Sequence, residues 1–168
     1  MLAVFTATAL STNYLMIGIS NVKFMDFIVF FGGYLFGTSF GITIGTLTWL
    51  VYGTINPYGF NLPILVATII GETIYGAAGG FLKNRINVRT GFTPDYRFAV
   101  IGFLTTFIYD LFTNIVSAFV AGIPIPVALI YGIPFAISHE VSNAAFFGFG
   151  LPILGKAVQK IFSGLNYE

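Results

Sequence analysis

Apolar stretches separated by short polar segments run along the whole chain. A helix needs about 20 apolar residues to cross the hydrocarbon of a bilayer, and most of these stretches have about that length. The pattern predicts an all-α polytopic membrane protein of six transmembrane helices, forming a single integral membrane domain over residues 1–168. The predicted spans are 2–20, 26–37, 38–54, 62–82, 98–121 and 127–154.

The second and third spans come from one apolar run of about 29 residues, Met25 to Gly53, which is long for one helix. The sequence from Gly37 to Gly41 lies in its middle, and its glycines and serine favour a tight turn. We therefore predict two helices that meet at Gly37, the first too short to cross upright and so partial or re-entrant. One long tilted helix is the alternative.

Charge is scarce. Charged residues make up 8% of the chain, the mean hydropathy is +0.91 and the net charge is +1. Soluble domains are about a quarter charged, so this composition excludes most of them, and it excludes disorder as well. The small net charge leaves no basic surface for nucleic acid. The absence of cysteine excludes disulfides, thiol catalysis and thiolate metal sites.

The basic residues predict the orientation. Loop 83–97 and the C-terminal tail both carry an excess of lysine and arginine, which is typical of cytoplasmic segments. Six spans put both segments on the cytoplasmic side together with the N-terminus, in a multi-pass protein of the cytoplasmic membrane. The loops near residues 21, 56–61 and 122–126 then face outside. The basic residues of the two segments are Lys83, Arg85, Arg89, Arg97, Lys156 and Lys160.

Ionisable groups inside a membrane are costly and usually functional. Glu72, Asp110 and His139 lie ten to twelve residues from the outer ends of three different spans, or roughly 15–18 Å inward at 1.5 Å per residue. Glu140 follows His139 directly. Because independent lipid-facing helices have no reason to agree in depth, these groups predict the floor of a cavity that opens outward.

Four polar or aromatic residues lie near these groups along their helices. Asn114 and Asn143 are each one helical turn from an ionisable group, Tyr75 is three residues from Glu72, and Trp49 lies near the outer end of span three. A mostly apolar cavity with a few convergent polar groups is typical of a small-molecule site. The alternative is structural, with the acids and amides linking helices by hydrogen bonds and Trp49 in an interfacial belt.

The sequence matches none of the enzymatic motifs that its polar residues bring to mind. His139-Glu140-Val141-Ser142-Asn143 differs from the zinc-protease pattern H-E-x-x-H in its last ligand, and the chain has no second histidine. The acids lack the motifs of intramembrane aspartyl proteases, and no phosphate-binding loop is present. We expect no enzyme, metal or cofactor, and we expect any ATP hydrolysis to occur on separate subunits.

The residues from Asn21 to Phe27, followed by Gly32, Gly33, Leu35-Phe36-Gly37, Gly41 and Gly45, resemble the early region of the S components of energy-coupling factor transporters. His139 and Asn143, followed by Gly148 and Gly150, resemble the last helix of those proteins. Ala3 and Ala7 match the family's A-x-x-x-A signature. The chain departs from the family at Thr38, where proline is frequent.

The resemblance implies a six-helix subunit that binds a vitamin or related micronutrient from outside, in a pocket between helices four to six beneath the first, third and fifth loops. It implies docking through Ala3 and Ala7 on a transmembrane coupling protein, with cytoplasmic ATPases driving release by toppling the subunit in the bilayer. Asn21 and Asn56 then lie in gating loops.

We therefore predict a micronutrient-binding subunit for ATP-driven uptake. Because carboxylates outnumber cations in the predicted floor, they suggest an amine, pyrimidine or cationic ligand, such as thiamine or its pyrimidine precursor. A stand-alone proton-coupled carrier is the alternative. The predicted ligand-contacting residues are Asn21, Trp49, Asn56, Glu72, Tyr75, Asp110, Asn114, His139, Glu140 and Asn143.

Overall fold

A computed structural model describes residues 1–89 and 91–164, with side chains up to 160, and this part of the chain is all-helical. The order of the helices matches the predicted order, with differences at their ends. The helices are α1 Leu2–Leu15, α2 Met25–Phe36, α3 Thr38–Ile55, α4 Leu62–Leu82, α5 Tyr96–Ala121 and α6 Ile125–Gly164.

Three helices are long and apolar enough to cross a membrane: α4, α5 and residues 125–160 of α6. At 1.5 Å per residue α1 and α2 reach only about 21 and 18 Å, which is short of a hydrocarbon core of about 30 Å. The surface agrees with a lipid environment, because large apolar side chains such as Phe107, Ile130 and Ile137 are about half exposed. Several charged side chains, among them Asp26, Glu72 and His139, are buried inside the helical bundle.

The first helix ends five residues earlier than predicted, at Leu15 rather than at residue 20. Successive turns follow, closed by hydrogen bonds such as Ile19 N to Met16 O (2.9 Å). Asn21 has a positive φ of 55°, which a regular helix does not allow. The predicted span included residues 16–20 because this segment is mostly apolar. In the structure the turns of this segment lead the chain inward.

The break between α2 and α3 falls at Gly37, as predicted, and the alternative of one long helix is wrong. Gly37 has φ 103° and ψ 170°, a conformation open almost only to glycine. Its amide still donates to Gly33 O (2.7 Å), so α2 ends with its last carbonyls partly satisfied.

Glycines hold α2 and α3 against α4 at backbone contact. A methyl group added at Gly76 would come within 2.2 Å of the carbonyl carbon of Gly41, and one at Gly33 within 2.2 Å of Gly76 O. Only glycine permits this approach, which is the usual role of small residues between membrane helices. The close packing fixes Glu72, one turn before Gly76, beneath α3.

Helix α6 continues well past the predicted end at residue 154. Pro152 lacks the N–H that would bond to Gly148 O, and Asp95 N fills that carbonyl instead (2.8 Å). Gly91 N donates in turn to Pro152 O (3.2 Å). Proline therefore does not end the helix here, because loop 83–97 supplies the missing donor and packs beside the C-terminal half of α6.

Candidate functional site

The segment between α1 and α2, residues 16–24, descends along α6. The amide of Asn21 donates to Phe135 O (3.0 Å), and the Ser138 hydroxyl donates to Ser20 O (2.9 Å). Phe135 and Ser138 are ten or more residues inside α6, about 15 Å or more from its start. Non-helical backbone at such depth is tolerated where it is buried in protein or lines a cavity.

A cavity of about 470 Å³ lies beside this segment. A second cavity of about 430 Å³ reaches beneath loop 56–61 and shares Trp49, Tyr52 and Tyr58 with the first. Tyr58 lies at the mouth, with its hydroxyl 3.4 Å from Ile17 O. Both volumes lie in the range of small-molecule sites. The polar side chains around the first cavity include Asn13, Asn21, Lys23, Thr68, Asp110, Thr113, Asn114 and Ser117.

Lys23 extends its side chain between two aromatic rings of the cavity. Its Nζ lies 5.0 Å from the ring centre of Tyr109 and 5.8 Å from that of Trp49, both within the range of a cation–π contact. Trp49 packs edge-on against Tyr52, with ring centres 5.3 Å apart. The cavity therefore has aromatic walls and one ammonium group among them.

A buried acid–imidazole network lies beneath the cavity. His139 Nε2 is 2.6 Å from Asp26 Oδ2, and His139 Nδ1 is 2.9 Å from Asp110 Oδ1. A neutral imidazole has only one N–H, so satisfying two carboxylates at once requires the imidazolium form. His139 and Asp26 are fully buried, which makes this pairing costly to disturb.

Asn143 extends the network along α6. Its amide nitrogen donates to Asp26 Oδ2 (2.7 Å) and contacts the Thr106 hydroxyl at 2.8 Å. The Thr106 hydroxyl also accepts a hydrogen bond from the Tyr75 hydroxyl (3.0 Å) and donates one to Gly102 O (2.7 Å). Four helices, α2, α4, α5 and α6, are thus linked through side chains at one level.

Glu72 connects the network to the cavity wall. Its Oε2 accepts from the indole N–H of Trp49 (2.9 Å), and its carboxyl group is close enough to Asp26 for the two acids to interact electrostatically. Asp26 Oδ1 and Glu72 Oε1 are both buried without a hydrogen-bond donor. Because two adjacent carboxylates repel each other unless they share a proton, one proton between Asp26 and Glu72 would satisfy both.

Nine of the ten predicted ligand-contacting residues fall into two groups, and Glu140 belongs to neither. Those that line the cavities are Asn21, Trp49, Asn56, Asp110 and Asn114. Those that lie beneath them in the buried network are Glu72, Tyr75, His139 and Asn143.

Glu140 stands apart from the other predicted acids. It lines a separate groove of about 320 Å³ between α5 and α6, with Asp110 and Asn114 on its inner side. The helical rotation of about 100° per residue turns Glu140 away from the direction of His139. Ala3 and Ala7 are exposed on α1. The side-chain amide of Asn56 forms a hydrogen bond within its own loop, where its Oδ1 accepts from Tyr58 N (2.8 Å).

Three residues of the site, Lys23, Asp26 and Thr106, were not predicted from the sequence. In the sequence Lys23 belongs to the polar stretch that ends the first span and Asp26 begins the second span, so depth counted from helix ends puts both at the outer surface. That rule fails here, since the preceding segment turns inward and α2 begins at the level of the network. The signal that was present is the charge pair itself, a lysine and an aspartate three residues apart at the start of an otherwise apolar helix.

No protein-family model matches this chain, and no curated protein or solved structure is significantly similar to it.

Proposed function

We propose that this protein is the substrate-binding membrane subunit of an uptake system of the energy-coupling factor type. The observation that carries the proposal is the cavity of about 470 Å³, which has aromatic and amide walls above a buried polar network. Preorganised polar groups beneath an apolar-walled cavity are what a small-molecule site requires.

In this proposal all six helices lie within the membrane, with both termini in the cytoplasm. Segment 16–24 and loops 56–61 and 122–126 face outside, and the basic loop 83–97 faces the cytoplasm. The packing of that loop beside the C-terminal half of α6 supports this arrangement, since it puts both basic segments at one end of the bundle. The short α1 and α2 lie against longer helices.

The ligand enters beneath Tyr58, stacks on Trp49 and meets the polar groups of Asn21, Asp110 and Asn114. The protein itself carries out no reaction. Ala3 and Ala7 give α1 a surface of small exposed residues for a transmembrane coupling protein, and ATPase subunits on the cytoplasmic side supply the energy.

The test is ligand binding. The protein is purified, exposed to a small-molecule extract of its host cells and washed, and the retained compound is identified by mass spectrometry. That compound is then titrated against wild type, Glu72→Gln and Asp110→Asn. We expect Asp110→Asn to weaken binding directly, about tenfold or more for a lost charged hydrogen bond. Unchanged affinity in both variants would remove the site assignment.

The buried network favours a second candidate, a stand-alone proton-coupled carrier. Asp26, Glu72, His139 and Asp110 form a continuous chain of groups that can exchange protons. Such a carrier would take up its ligand into vesicles under a pH gradient without any other protein. Uptake that requires ATP and a partner subunit would decide for the first candidate.

A further inference from the structure

Lys23 is the basic side chain at the place where the two cavities meet, and it lines both of them. Its ammonium group lies against the faces of Tyr109 and Trp49. In the part of the chain that the structure describes, no salt bridge joins Lys23 to a carboxylate. A cation held over two ring faces keeps N–H groups available for an incoming acceptor.

Most of the negative charge of the acids beneath Lys23 is compensated within their own network. His139 lies between Asp26 and Asp110 and pairs with both as an imidazolium, and one proton shared between Asp26 and Glu72 would satisfy the two carboxyl oxygens that have no hydrogen-bond donor. In that arrangement the four groups carry one net negative charge, since three carboxyl groups hold one proton and the imidazolium adds one positive charge. The ammonium of Lys23 cancels the remaining charge, so the site as a whole has no surplus of negative charge to attract a cation.

A cationic ligand would therefore have to approach Lys23 at close range, where like charges repel. An acceptor on the ligand, in contrast, would find the Lys23 ammonium together with the amides of Asn21 and Asn114. The aromatic walls offer stacking to a flat ring.

We infer that Lys23 determines the specificity of the cavity, and that the ligand is a flat aromatic compound carrying a carboxylate or another strongly accepting group. The inference rests on the proposed function, because it names the substrate class of the same cavity. It replaces the amine-like ligand that the carboxylates alone suggested.

The first arm of the test needs no ligand. Trp49 is the only tryptophan in the chain, so its fluorescence reports on the cavity wall without labelling. Quenching by iodide and by caesium is measured for wild type, Lys23→Gln and Lys23→Arg in neutral detergent, with Lys83→Gln as a matched control in the basic loop. We expect iodide to quench wild type more efficiently than caesium does, and Lys23→Gln to reverse that order. Lys23→Arg and the control should resemble wild type.

The second arm compares three ligands that share one ring. Nicotinate, nicotinamide and 3-(aminomethyl)pyridine carry an anionic, a neutral and a cationic group, and Trp49 fluorescence follows their binding. We expect affinity to fall in that order, with nicotinate about tenfold or more tighter than the amine, and Lys23→Gln to abolish this preference. Tighter binding of the amine to wild type would overturn the inference and favour the thiamine-like ligand.

The two arms separate this inference from the proposed function. If none of the three compounds binds, the quenching arm still decides, because equal iodide quenching of wild type and Lys23→Gln would overturn the role of Lys23. If the quenching order depends on Lys23 while a host-cell extract yields no bound compound, the electrostatic assignment stands and the proposed function fails.

Discussion

His139 on α6 and Asp26 on α2 are 113 residues apart in the chain, yet His139 Nε2 lies 2.6 Å from Asp26 Oδ2 in a fully buried contact. Asp110 faces the other ring nitrogen. A charged pair that is buried this deeply is compatible with a stable fold only while both partners are present. Removing one partner leaves the other unpaired in a medium that cannot solvate it.

Replacing Asp26 with alanine should therefore destabilise the protein strongly. The change removes the acceptor of both His139 and Asn143, and we expect a loss of about 3 kcal/mol or more. Thermal unfolding in detergent measures it. Ser142→Ala is the matched control, since that hydroxyl bonds only to His139 O one turn earlier and its loss should cost little. An Asp26→Ala protein as stable as wild type would contradict the network.

Gly76→Ala tests the backbone packing of α3 on α4. The added methyl group would meet the backbone of Gly41 at 2.2 Å, so the two helices must separate. We expect a loss of about 1–3 kcal/mol, the usual cost of overpacking. Gly18→Ala is the control, because nothing lies within 4 Å of its added methyl group. Equal melting temperatures of the two variants would show that the helices are not in backbone contact.

Gly37→Ala tests destabilisation by backbone strain, in contrast to the overpacking at Gly76. Open space surrounds Gly37, so the added methyl group meets no neighbour, but φ 103° is strained for any residue with a Cβ. We expect a destabilisation of about 1–3 kcal/mol from the backbone alone. Circular dichroism of the same samples should show unchanged helix content, since the α2–α3 break stays in place. A neutral effect on the melting temperature would mean that the chain at Gly37 adopts another conformation.

Asp95 gives a prediction for pH. It lies in the loop before α5, accepts from Arg97 N (3.2 Å) and pairs with the Arg97 guanidinium, whose hydrogen bonds hold the pKa of this carboxyl below its ordinary 3.8. A lowered pKa in the folded state means that the charged form stabilises folding above pH 3.8, and that this contribution is lost as the pH falls through the lowered value.

Asp95→Asn keeps a capping oxygen but removes the charge. We expect wild type to melt at a higher temperature than Asp95→Asn at about pH 6, and the difference to shrink below about pH 4. Melting curves of both proteins across that range measure it. A difference that grows on acidification would have the wrong sign for this pairing.

The sequence was sufficient for the order of the helices and for the break at Gly37, because hydrophobic runs and glycine act locally. It was sufficient for the shared depth of Glu72, Asp110 and His139, since helical rise is nearly constant. It was insufficient for Lys23 and Asp26, whose depth depends on the turns before α2 and their bonds to α6. The sequence also could not show that Asp110 lines the cavity while Glu72 is buried beneath it, because their positions relative to the cavity depend on the packing of α3.

The central claim is that the cavity beside Trp49 binds a small molecule. Native mass spectrometry measures this most directly, on wild type and Trp49→Leu after both have been incubated with a small-molecule extract of host cells. We expect one compound to bind wild type in a 1:1 ratio and to be lost or greatly reduced in Trp49→Leu. A wild-type protein that retains no compound, or a variant that retains the same compound in equal amount, would contradict it.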